Sequence, residues 1–147
     1  MTNLLRTYLQ SEGLGTFGTD LFVSQRPDSP DNCIILYDET GIVSDYQSDY
    51  GSDWVGVQVM TRGSYSYAQS KIWDIHNTVT AWTDGSTDDF ILVTTTIQTP
   101  PAQIDIDEKG RRVFTAHYLF LVTQKENKHR IPLAAQTFDE TFDDTFA

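Results

Sequence analysis

Residues 100–122, PPAQIDIDEKGRRVFTAHYLFLV, join a polar, turn-prone segment to the longest strand signal in the chain. Asp107-Glu108-Lys109-Gly110 reads as a tight reversal, with Gly110 free to take a positive φ. The run over 113–123 is rich in β-branched and aromatic residues and has no Gly or Pro, so it predicts a strand buried on both faces. Upstream, FILVTTTIQ over 90–98 predicts a second strand. Before it, Ala68, Ile72, Ile75, Val79 and Trp82 recur at steps of three and four, the apolar stripe of an amphipathic helix over 64–82. Tyr65 and Trp73 fall off that stripe and are free for edge or interface contacts. The order is helix, strand, hairpin, strand.

At 147 residues the chain suits one domain. The fold class expected is α/β (α+β): a mixed or antiparallel sheet of about four or five strands, the long helix on one face, and a short N-terminal helix. That first helix rests on Leu4, Leu5, Tyr8 and Leu9, interrupted by Arg6 and Gln10, a pattern that does not suit a signal peptide. Acidic side chains number 21 against 10 basic ones, a formal charge of −11, whereas duplex binding needs the opposite balance to displace counterions. Specific nucleic-acid binding is therefore not expected. No apolar run approaches the roughly 20 residues that span a bilayer, so a soluble protein made in a cytoplasm is expected. Cys33 is the only cysteine, which excludes an intramolecular disulfide and a CxxC site, and it reads as a buried thiol in a strand over 32–37.

Two segments break this pattern with a four-residue repeat. Ser44-Asp45-Tyr46, Ser48-Asp49-Tyr50 and Ser52-Asp53-Trp54 read as a loop, because Ser and Asp compete for backbone hydrogen bonds. Its plain role is a solvated connector; its functional role would be a protein-binding face built on Tyr46 and Tyr50. The second repeat, Thr137-Phe138-Asp139, Thr141-Phe142-Asp143 and Thr145-Phe146, makes 136–147 an acidic tail beyond a domain over 1–135. A spacing of four places Phe138, Phe142 and Phe146 on one face of a helix or a strand. Its plain role is a disordered acidic tail; against that, three large apolar side chains at regular spacing are unusual in a purely solvating end.

Chemistry-bearing constellations are scarce. His76, His117 and His129 show no metal-ligand spacing, and no cysteine lies near them. Asp105, Asp107 and Glu108 resemble part of a calcium loop but lack the following Asp/Asn-Gly and the terminal bidentate Glu. Gly13, Gly15 and Gly18 have GxGxxG spacing but precede the strand, so the nucleotide fingerprint lacks its context. No metal or cofactor is expected.

The layout resembles the bacteriophage tail terminator family, also called minor capsid or tail-completion proteins. The matching pieces are the short N-terminal helix, a strand ending in a Tyr-Asp-x-x-Gly turn (Tyr37, Asp38, Gly41), a strand over 57–62, and the helix and strands above. The nearest local match is the acidic turn followed by Gly-Arg and an aromatic strand, residues 107–114. This resemblance covers most of 1–124. It implies a non-enzymatic virion protein at the head-proximal end of the tail, assembled in the host cytoplasm. It further implies a homohexameric ring that caps the tail tube, ends tube growth and presents a surface to a head-completion or connector protein. Partners would be other copies, the tube protein and the connector, with the genome passing through a lumen that an acidic ring repels.

Six of the ten basic residues, Lys109, Arg111, Arg112, Lys125, Lys128 and Arg130, flank the 113–124 strand in two clusters. Gatekeeping against aggregation is their plain role. In a ring, a basic end could instead meet an acidic loop or tail of the next copy, giving Lys109, Arg111 and Arg112 an interface role. A function of another class, small-molecule binding or hydrolysis, would use a pocket near Trp54, Trp73 or Trp82.

Overall fold

The computed structural model describes residues 1–42, 52–87 and 90–124. The elements are α1 (Thr2–Ser11), β1 (Leu21–Val23), β2 (Cys33–Ile42), β3 (Ser52–Gly63), α2 (Tyr65–Thr80), β4 (Phe90–Ile106) and β5 (Arg112–Gln124). The strands form one sheet in the order β1-β2-β3-β5-β4. β1 runs parallel to β2, and every other neighbour is antiparallel, so the sheet is mixed. This is the α+β class that the sequence predicts.

Alternation along the strands divides the apolar residues between two faces. On one, Ile34, Leu36, Val57, Val59, Ala116, Tyr118 and Phe120 pack with Leu5 and Leu9 of α1 and with Ala68, Ile72, Ile75 and Val79 of α2. On the other, Cys33, Ile35, Met60 and Val113 form a smaller cluster with Phe22 and Tyr37 against it. Interior strand β5 thus contributes to both cores, Val113 to one and Phe114, Ala116, Tyr118 and Phe120 to the other. Cys33 is fully buried, and burial pushes its thiol pKa up.

Polar contacts fix the helices on the sheet. Ser64 caps α2 by accepting the Tyr67 N–H at 3.2 Å, and the Thr61 hydroxyl donates to the Ala68 carbonyl at 2.8 Å. Tyr8 of α1 stacks on Trp82 at 4.3 Å with planes 5° apart, and Trp82 meets Phe120 edge-on. Arg62, only 2 % exposed, crosses the second face and donates to the carbonyls of Pro30 (2.7 Å) and Asp31 (3.3 Å). Those bonds tie the β1–β2 connection to the sheet.

Three expectations are corrected, and one strand was not foreseen. The Tyr-Asp-x-x-Gly segment is not a turn: β2 continues to Ile42 with a register shift between Glu39 and Ile42. Its neighbour Gly56 permits this, since a Cβ there would lie 2.9 Å from the Thr40 carbonyl oxygen. β3 begins at Ser52 instead of Val57, so Ser52-Asp53-Trp54 pairs with Thr123, Val122 and Leu121 instead of closing the loop. β4 does not end at Gln98; it runs through Pro100 and Pro101 to Ile106. Proline is tolerated because β4 is the outermost strand and its register shifts between Thr99 and Ala102. Lastly, β1 was not predicted, being only 3 residues long.

Candidate assembly surfaces

The β4–β5 hairpin turn is held by one carboxylate. Asp107 Oδ1 accepts the N–H groups of Lys109 (3.0 Å) and Arg111 (2.9 Å), while Oδ2 accepts Arg111 Nε at 2.7 Å. Gly110, at φ +76, lets the turn close with its N–H on the Asp107 carbonyl. Arg111 then reaches across to the β1–β2 connection, donating Nη1 to the Asp28 carbonyl (2.6 Å) and to Asp31 Oδ1 (3.1 Å). Lys109 Nζ meets Asp28 Oδ2 at 2.6 Å. The Arg111 side chain is 11 % exposed inside this clamp, whereas Lys109 is 54 % exposed at its rim.

The clamp's electrostatics follow from that geometry. Lys109, hydrogen-bonded to Asp28, holds that carboxyl below its ordinary range, with Arg111 adding to the effect. At Asp107 partial burial opposes ionisation, but the bonds from Arg111 and Lys109 outweigh it and lower the pKa. Beside the clamp lies a cleft of about 480 Å³ with Arg26, Arg62, Asp105, Ile106 and Glu108 in its walls. A second cleft, about 470 Å³, is lined by Asp38, Glu39, Thr40, Gln98, Thr99 and His117. There His117 Nδ1 and Glu39 Oε1 are 2.8 Å apart.

The arrangement offers little for catalysis. Asp107 spends its lone pairs on the turn, and Asp105 Oδ1 accepts the Ile106 N–H at 2.8 Å, so the acidic run does not converge on a common point. Among the described residues no group of three His, Cys, Asp or Glu is placed to hold a metal. Neither cleft includes a tryptophan. Trp82 belongs to the core at 4 % exposed, and Trp73 stands on the outer surface of α2.

Between α2 and the edge strand lies an apolar strip. Tyr65 meets Phe114 edge-on at 5.8 Å, and Trp73 meets His76 edge-on at 5.3 Å. His76 Nδ1 lies 2.7 Å from the Tyr118 hydroxyl. Burial lowers the His76 pKa and raises that of Tyr118, so the contact joins a neutral imidazole to a neutral phenol. Phe114 and Tyr118 pair with Gln103 and Ile97 of β4, so the helix-side surface continues past these rings to the sheet edge. There Tyr65 is 52 %, Trp73 42 %, Ile97 44 % and Ile106 49 % exposed.

Of the candidate interface residues, Lys109, Arg111 and Arg112 are brought together at the hairpin end. Tyr46, Tyr50, Phe138, Phe142 and Phe146 lie outside the described residues, as do Lys125, Lys128 and Arg130. Sequence reading missed Asp28 and Asp31 as partners of Arg111, because separations of 83 and 80 residues leave no periodic trace. It also missed Ile97 and Ile106. Ile97 lies at the end of the predicted strand over 90–98, whereas Ile106 follows two prolines and a polar stretch that hide the second half of β4.

No curated protein sequence matches this chain. Among solved structures, a chain from "Virion of native gene transfer agent (GTA) particle" shares the fold with a TM-score of 0.60 at 10 % identity. The match covers 83 % of this chain and 90 % of that one. No helix among the described residues is long and apolar enough to cross a membrane. The model of the family described as "Bacteriophage tail terminator protein" matches residues 8–124, which include every strand, all of α2 and the last turn of α1. The chain belongs to the bacteriophage tail terminator family.

Proposed function

We propose that this protein caps the phage tail tube as a homohexameric ring, ends tube polymerisation and forms the surface that joins the tail to the head. The observation that carries the reading is the family match over 8–124. The fold shared with a chain of a gene transfer agent virion supports a place in the particle, here the head-proximal end of the tail after assembly in the host cytoplasm. The protein works by binding and catalyses no reaction. Its partners are its own copies, the tube protein and a head-completion or connector protein. The formal charge of −11 suits a lumen that lets a genome pass without gripping it.

Within that reading, Lys109 and Arg112 meet acidic groups of a neighbouring copy, and Arg111 holds the turn that presents them. Tyr46 and Tyr50 contribute an aromatic face, and Phe138, Phe142 and Phe146 of the 136–147 tail act as anchors between subunits. Native mass measurement with and without tube protein tests the ring, with six copies expected in at least one condition. Electron microscopy of tubes grown with the protein tests the cap: tube length should become fixed. A chain that stays monomeric beside tube protein and leaves tubes growing would overturn the proposal.

A further inference from the structure

The apolar strip between α2 and β4 is unfinished. Tyr65 and Trp73 stand exposed on α2 and Ile97 and Ile106 on β4, whose helix side carries Thr95, Ile97, Gln103 and Ile106 with no carboxylate among them. Backbone pairing is a poor way to cover it. The register of β4 shifts at four places, which interrupts the edge that an added strand would follow. A side-chain contact suits the strip better.

We infer that the strip of one copy receives residues 137–146 of the next copy, with phenylalanines of that segment against Tyr65, Trp73 and Ile97. The inference rests on the ring proposed above. Several features of the chain support this occupant. β5 ends at Gln124, paired with Phe90 at the far end of the hairpin from Ile106. Residues 125–136 can extend about 40 Å, while the strip beside Tyr118 to Arg112 is about 20 Å long, so the segment can pass between copies. Extended, Phe138, Phe142 and Phe146 share one face about 13 Å apart, close to the roughly 12 Å between Tyr65 and Trp73 along α2. The carboxylates between the phenylalanines, Asp139, Glu140, Asp143 and Asp144, suit the Ile106 end, where Arg112 makes no ion pair among the described residues. Strip and segment are also two different surfaces of one chain. Joined between copies they give a head-to-tail contact, the kind that closes into a ring.

Thiol cross-linking tests this. Cys33 is buried, so added cysteines report their own positions. Ile97→Cys protein is mixed with Phe142→Cys protein, and Tyr65→Cys serves as a second reporter from the helix side. Gln25→Cys, at an exposed position in the β1–β2 connection, is the control. Docking raises the effective concentration of the two thiols, so a mixed disulfide dimer should form at least about tenfold faster than between Gln25→Cys and Phe142→Cys. Native mass is read on the same samples. A ring that forms with no such excess for either reporter overturns the inference and leaves the ring standing. A bridge that forms only inside the I97C/F142C double variant also overturns it, because the segment then covers its own strip. Failure to form a ring under any condition removes both.

Discussion

Arg111 and Asp107 show how one ion pair can organise two distant loops. Their separation of 2.7 Å closes the turn locally, and the same guanidinium then fastens residues 28 and 31, more than 75 positions earlier. Replacing Asp107 with Asn should lower the melting temperature and speed amide exchange at Lys109 and Arg111, since the two N–H groups lose their shared carboxylate. Unchanged exchange there would show that the turn closes without it. Because both Asp28 and Asp107 titrate below their ordinary 3.8, the clamp's contribution is present above that pH and fades as pH falls below it. His76 has the opposite chemistry and the same direction. Its folded pKa lies below 6.5, so stability is whole above 6.5 and declines as the part-buried imidazole takes on charge. His76→Gln should flatten part of the melting-temperature loss between about pH 7 and 5.5. Parallel curves for the two proteins would sink that account.

Among the elements, α2 was the most legible and β4 the least. Ala68, Ile72, Ile75 and Val79 recur with the helical period, and all four are buried. Ile75→Ala should cost about 2–5 kcal/mol, and Ile75→Asp, which buries an unpaired charge, should unfold the domain outright. A folded, soluble Asp variant would mean the helix presents another side to the sheet. The second half of β4 was hidden by its own chemistry: two prolines and a polar stretch suppress the strand signal, and an edge position tolerates both. β2 was cut short for a related reason, since Asp38 and Gly41 carry turn chemistry that pairing with β3 overrides. Three residues of β1 cannot establish any period. The clamp was half legible, because Asp107 and Arg111 stand four apart while Asp28 carries no local mark. At the edge, the proline pair should act as a guard. Changing Pro100 and Pro101 to Thr should raise aggregation at unchanged thermal stability or better, read by light scattering during storage. Equal scattering would show that the register shifts alone protect the edge.

At the scale of the whole molecule, the proposed assembly role separates core from assembly along the chain. Among the described residues the buried members of both apolar clusters lie within 5–120, and the family match ends at residue 124. Deleting 136–147 should therefore move the unfolding midpoint by less than about 0.5 kcal/mol while abolishing the ring or weakening it strongly. A large drop in midpoint would place the segment in the domain's own packing, and undiminished capping would reduce it to a solvated end. The strand order carries a further consequence, in time instead of space. β3 and β4 never touch: β5, made last of the five, slides between them, pairing Gly63 with Arg112 and Ser52 with Thr123. At roughly 5–20 residues per second on a ribosome, β3 waits about 2.5–10 s for its inner partner. Throughout that interval Val57, Val59 and Met60 lack the strand that later flanks them. The sheet therefore cannot complete until β5 has been made, and the waiting nascent chain is the form most open to chaperones and to its own kind.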